Sequence, residues 1–228
     1  MASAGIKILP CEFIDMEVRV DIYNEAFADD PALYCMRPRA DPIVVKKNTL
    51  ENFQKGYEGP GMKYFKAIDG DTGEIVGYSS WQYPHTPDPN EPDPETAIRN
   101  ATQPPGSNDE LIVEFLVKFL HARQKWHVPH LHYYLRLLVA HPGYQRRGIG
   151  TMLLEPVLEI IDEAKAKTFI TASPVDVGLY LKYGWVEVDE IIIDYSRYGD
   201  EKDVKTAVLM RHPKGLRMSK NGTAKRQT

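Results

Sequence analysis

Two arginines and two glycines fall within six residues of this chain, Gln145-Arg146-Arg147-Gly148-Ile149-Gly150, and together they suit one chemistry, the holding of phosphate. Glycine lets a backbone adopt dihedrals closed to other residues and lets a ligand approach main-chain N–H groups without meeting a Cβ. The flanking arginines supply positive charge. Upstream, Tyr133 to Val139 is aromatic and aliphatic, the composition of a strand buried on both faces, and Pro142-Gly143 ends it. Downstream, Ile149, Met152, Leu153, Val157, Ile160, Ile161 and Ala164 recur at a helical period. The glycines therefore lie in a loop that opens a helix, where unpaired N–H groups and the positive end of the helix dipole favour an anion.

Rival glycine loops fit less well. The dinucleotide fingerprint needs a third glycine at position 153, which is Leu153, and a P-loop needs Gly-Lys-Ser/Thr where this chain has Gly150-Thr151-Met152. The stretch resembles the acetyl-CoA motif of the GNAT-type N-acetyltransferases, Gln/Arg-x-x-Gly-x-Gly/Ala after a strand. A second motif of that family follows in the same order: a short strand at Thr168 to Ser173, a short helix at Pro174 to Lys182, and Tyr180-Leu181-Lys182-Tyr183-Gly184-Trp185 where the family has Tyr-x-x-x-Gly-Phe. The resemblance covers about residues 6 to 212.

What the resemblance implies is specific. Acetyl-CoA would be the co-substrate, with its pyrophosphate on Gln145, Arg146, Arg147, Gly148, Ile149, Gly150 and Thr151 and its pantetheine arm along Leu137, Leu138 and Val139. A backbone N–H near Val139 would serve the oxyanion, and Tyr180 would protonate the departing thiolate; a phenol with an ordinary pKa near 10 is protonated at neutral pH. Tyr183 is the nearby competitor, read as structural. The acceptor, a small-molecule or peptide amine with a small cationic amine slightly favoured, would be walled by two early helices, with Phe27, Tyr34 and Met36 as contacts. His132, Tyr134 or Glu114 could assist its deprotonation. The alternatives are a protein or peptide acetyltransferase and a CoA-binding regulatory module without turnover.

Composition limits the setting. With 43% hydrophobic and 26% charged residues, the 228-residue chain has the make-up of one water-exposed globular domain, and no apolar run is long enough for a membrane span. The start has no long apolar segment, so an intracellular, cytoplasmic protein is expected. Cys11 and Cys35 are too few for a disulfide framework and read as free thiols. His127-x-x-His130-x-His132 has no companion ligand pattern, and no metal is expected. Residues 213 to 228 carry +5, which leaves −9 on the other 212 residues of a chain with formal charge −4. That tail is expected to be disordered, with no nucleic-acid partner, and the acidic body suits a cationic substrate. The oligomeric state is not readable.

The remaining elements follow from pattern. Strands are expected at Ile6 to Cys11, Met62 to Asp69, Glu74 to Tyr83, Trp185 to Tyr195 and Val204 to His212. Gly77 inside the third of these strands suggests a close backbone approach. Helices are expected at Asp15 to Phe27 and Pro42 to Tyr57, and from a Ser107-x-x-Glu110 capping box to Trp126. Residues 84 to 108 hold seven of the 17 prolines and read as a surface loop, the first part of an insertion spanning 84 to 128. Pro156 should kink the helix that follows the glycines. The expected fold is α/β, a single domain over residues 1–212 with a mixed, mostly antiparallel sheet flanked by helices.

Overall fold

The computed structural model describes residues 5–198 and 204–214; most of the expected basic tail therefore lies outside the described residues. Its strands are β1 (Ile6–Pro10), β2 (Met62–Asp69), β3 (Ile75–Gln82), β4 (His132–Ala140), β5 (Lys167–Ala172), β6 (Trp185–Ile193) and β7 (Val204–Arg211). Its helices are α1 (Met16–Ala26), α2 (Pro31–Met36), α3 (Pro42–Lys55), α4 (Pro94–Asn100), α5 (Asp109–Trp126), α6 (Ile149–Glu163) and α7 (Val177–Lys182). The strands form one seven-stranded sheet in the order β1-β2-β3-β4-β5-β7-β6, and only β4 and β5 run parallel. The mixed, mostly antiparallel expectation holds.

Side-chain alternation sorts the helices onto two faces. Trp81, Tyr133, Leu135, Ile170 and Leu209 share a core with Leu154, Val157 and Ile161 of α6 and Tyr180 of α7. On the opposite face Tyr78 and Val139 pack with Ile22 of α1, while Phe169, Val208 and Met210 pack with Leu111 and Ile112 of α5. A bidentate pair ties the elements at one end: Arg211, 1% exposed, meets both carboxylate oxygens of Asp162 at 2.8 and 2.7 Å and donates to the Tyr183 carbonyl.

Several local expectations need correction. Two short helices, α2 and α4, were not read from the sequence; both begin at Asp-Pro, and the carboxylates of Asp30 and Asp93 accept the free N–H groups of the first turn. A proline at the first helical position has the right φ and lacks only a donor with no partner. So residues 84–108 are not wholly loop, and Pro104 there is buried. The cap of α5 is Asn108, whose side chain accepts from the Leu111 N–H at 3.2 Å, because Ser107 is drawn into a turn with its N–H on the Pro104 carbonyl. The helix that carries Tyr180 starts at Val177, three residues later than expected. Helix α6 continues through Pro156 to Glu163; the ring lies on the exposed side, where water can take the freed carbonyl. Gly77 meets its expectation: a Cβ there would stand 2.8 Å from both the Val139 carbonyl oxygen and Ile149 Cγ2.

Candidate active site

Strand β4 pairs with β3 from Tyr134 to Ala140 on one edge and with β5 only at its start on the other. Toward β3 the register runs from Gln82↔Tyr134 to Gly77↔Ala140 and slips once, so that Ser80 faces Leu137, Trp81 faces Leu135, and Arg136 is an extra residue. Toward β5 the pairs are His132↔Lys167, Tyr133↔Thr168 and Tyr134↔Phe169, and then the strands part. A bulge bends the strand that carries it. The bend at Arg136 opens a fork between β4 and β5; Leu137 and Val139 face Ser80 and Tyr78 in the β3 ladder, and Leu138 between them presents its main-chain groups to the opening. An extended polar chain can add itself to such an edge as a strand would.

The glycine loop stands at the far end of this edge. Gly148 has φ 84° and Arg146 has φ 63°, so alternate residues occupy the left-handed region. That conformation is free for Gly148 but costs Arg146 about 1 kcal/mol, strain of the kind retained where a loop must present its N–H groups. Gly148 is the N-cap of α6 and no side-chain cap is made there, which leaves the N–H groups of Ile149, Gly150 and Thr151 at the positive end of a 15-residue helix. A Cβ on Gly148 would meet nothing within 4 Å, the mark of open space above it. Arg146 and Arg147 are exposed, and the Arg147 guanidinium lies 4.8 Å from the Tyr144 ring. Ile149 contributes only backbone, since its side chain is buried against Gly77.

His141 anchors the loop and was missed in the sequence. Its Nδ1 accepts from the Gly143 N–H at 3.1 Å, and its Nε2 stands 2.9 Å from the Glu25 carboxylate on α1. One imidazole thus ties the turn before the glycines to a helix of the opposite wall. The side-chain amide of Gln145 donates back to the Ala140 carbonyl at 3.3 Å.

Tyr180 and Tyr183 are separated clearly. Tyr180 is 5% exposed, edge-on to Trp185 at 5.5 Å, and shares its core with Leu135 of β4 and Ile170 and Ala172 of β5, the strands that form the fork. Burial, with Asp176 nearby, pushes its phenol well above the ordinary tyrosine range, so it keeps its proton. The Tyr183 hydroxyl instead donates to Glu155 on α6 at 2.9 Å.

The acceptor candidates scatter more widely. Phe27 is half-buried against Tyr23 at 4.8 Å, and Tyr34 on α2 is 73% exposed. Tyr134 lies at the apex of the fork with its ring against Phe169 and His127, at 5.3 and 5.5 Å. His132 is buried, its Nδ1 accepts the Val128 N–H at 3.1 Å, and burial holds its pKa down. Glu114 is shared among Lys118, Arg197 and Tyr198 and held below the usual carboxylate range, first by Lys118. Both are engaged in holding the fold together. An open groove of about 610 Å³ between α4 and α5, lined by Arg99, Val113 and Val117 among others, includes none of the loop residues.

Comparison with known proteins agrees with the fold. The family described as "Acetyltransferase (GNAT) domain" matches residues 121–194, from α5 through the fork and the glycine loop to β6. A Corynebacterium glutamicum structure described as histone acetyltransferase HPA2 and related acetyltransferase is 21% identical over 95% of this chain and 99% of its own, with TM-score 0.62. Mosquito arylalkylamine N-acetyltransferase like 5b is 14% identical over 91% of this chain and 100% of its own, with TM-score 0.63. The Salmonella typhimurium protein yncA, solved with acetyl-CoA, is 13% identical over 92% and 94%, with TM-score 0.53. No curated protein matches by sequence.

Proposed function

We propose that this chain is a GNAT-type acetyltransferase that moves the acetyl group of acetyl-CoA onto a primary amine by direct attack. The observation that carries the reading is the fork, an unpaired β4 edge that leads from the core around Tyr180 to an uncapped helix start flanked by two arginines. The co-substrate supplies a thioester. The chain supplies N–H donors at Ile149, Gly150 and Thr151 with Arg146 and Arg147 for the pyrophosphate, and the main chain of Leu138, between Leu137 and Val139, for the arm. Attack turns the thioester carbonyl into an oxyanion, which a backbone N–H near Val139 would stabilise. When the carbon–sulfur bond breaks, the Tyr180 hydroxyl gives its proton to the sulfur; the attacking nitrogen releases one to solvent, and solvent returns one to Tyr180.

Direct attack is preferred over an acetyl-cysteine intermediate because neither thiol is suited to it. Cys11 and Cys35 are buried, and burial pushes the Cys11 thiol up to about 12, while the nucleophile of such a step is the thiolate. The test is to incubate the protein with acetyl-CoA and a panel of amines, following thiol release and the N-acetyl product by mass. Intersecting initial-rate plots are expected. Tight CoA binding with no product from any amine would reduce the protein to a CoA-binding module, and parallel plots would require a covalent intermediate.

A further inference from the structure

Three guanidinium groups from three elements gather around the bulge, and none has a carboxylate partner among the described residues. Arg136 is the bulged residue itself; it is exposed, and its nearest polar contact is Met62 Sδ at 3.4 Å. Arg123, from the last turn of α5, lies 6.0 Å from the ring of Tyr134, two residues before Arg136 on β4. Arg19 of α1 lies beneath, 3% exposed, 4.4 Å from the Tyr64 ring and 4.9 Å from the Tyr78 ring, and it donates to Ser80 Oγ at 3.1 Å. Ser80 is paired with Leu137, the next residue of β4. The Nε of Arg19 and the Tyr78 hydroxyl are both buried without a partner. Other cations of the body are held by carboxylates, Lys66 by Asp15, Lys118 by Glu114, Lys125 by Asp189 and Arg211 by Asp162.

On an acidic protein, guanidinium groups from three elements without carboxylate partners beside one bulge concentrate positive potential there. The place is the helix-α1 and helix-α5 face of the fork apex, opposite the face that carries Tyr180. We propose that Arg136 and Arg123 form an anion subsite beside the point of acetyl transfer, so that the amine acceptor also carries a carboxylate, as an amino acid does. Arg136 supplies a planar fork of donors that matches a carboxylate in two parallel hydrogen bonds. Arg123 flanks it, and the fixed charge of Arg19 raises the potential from below. This inference rests on the amine acetyltransferase reading and narrows its substrate class: the ammonium meets the acidic body, and the acid end of the same molecule meets the bulge.

The experiment compares matched acceptors, phenylalanine against phenethylamine and leucine against isoamylamine, by thiol release with the full-length protein and with the R136Q, R136K and R123Q variants. The wild-type protein is expected to favour the amino acids by at least about tenfold in kcat/KM. R136Q should remove that preference through KM, R136K should restore part of it, and each variant should acetylate the simple amines as the wild type does. Equal use of both classes by the wild type, loss of the two classes together in R136Q, or no turnover of any acceptor overturns the subsite. Turnover of the simple amines without preference for the amino acids places the failure at the acceptor subsite alone. No turnover of any acceptor, whether or not calorimetry finds CoA bound, places it at the acetyltransferase reading.

Discussion

At the residue scale the proposed chemistry turns on which tyrosine holds a transferable proton. Tyr180 is packed beneath the fork and kept protonated by burial, whereas the Tyr183 hydroxyl is already committed to Glu155. Tyr180→Phe preserves the ring contact with Trp185 and removes only the hydroxyl. Its kcat is expected to fall by about 10²–10⁴-fold, the usual worth of a positioned general acid, with CoA affinity unchanged. A tyrosine serving only the fold predicts the reverse, a melting curve shifted by about 1 kcal/mol and nearly full turnover. Measuring both on one preparation decides. Gly148 gives a second residue-scale test. Its φ of 84° means that any side chain costs about 1 kcal/mol, so Gly148→Asp must be compared with Gly148→Asn, which has the same shape and tolerates that region. Isothermal calorimetry should find CoA bound at least about tenfold more weakly by the Asp variant than by the Asn variant, because only a charge separates them.

At the element scale, what positions the site is the turn that launches β4. His127 is 6% exposed, its Nε2 stands 3.3 Å from the His132 carbonyl oxygen, and burial drives its pKa down to about 4. An unfolded histidine titrates near 6.5, so between that value and about 4 the unfolded chain takes up a proton that the folded chain refuses. Stability therefore falls as pH falls through this window, by up to roughly 3 kcal/mol from this group. Urea melts at pH 7 and pH 4.5 should show a smaller loss for His127→Gln than for the wild type.

The sequence showed each long element and the glycine loop, because both rest on local periodicity and local backbone demands. The fork was legible only through family resemblance: the bulge exists in the register between Ser80 and Leu137, some 57 residues apart, and no pattern on β4 alone marks Arg136 as extra. Helices α2 and α4 were legible in principle, since Asp30-Pro31 and Asp93-Pro94 repeat the Asp41-Pro42 start of α3, but six or seven residues leave little periodicity to read. Arg19 falls on the apolar stripe of α1, three residues after Met16 and four before Tyr23. A cation there was a sign of a buried aromatic cage that a search for hydrophobic residues passes over.

At the scale of the whole molecule, residues 84–108 are expected to shape how the acceptor reaches the fork. Their far end is stitched to the wall made by α2 and α3: the Arg39 N–H donates to the Gly106 carbonyl and the Asn108 N–H to the Met36 carbonyl. Their middle, α4, is held on α5 by the Glu95 carboxylate 2.8 Å from His121 Nε2, on the helix that carries Arg123 in its last turn. The pair is exposed and contributes little to stability, so α4 can be removed without dismantling the sheet. Deleting Pro87 to Gln103 takes away α4 but leaves Pro104 and the stitched segment in place. The shortened protein should melt within a few degrees of the parent and bind CoA with unchanged affinity, because the glycine loop lies at the other end of β4. Its KM for the amine should change several-fold, since α5 and the α2 wall lose their outer support while Tyr180 and the β4 edge keep theirs. Wild-type kinetics for every acceptor would make the insertion a bystander, and a loss of CoA affinity equal to the loss in KM would mean that the two ends of the fork are not independent.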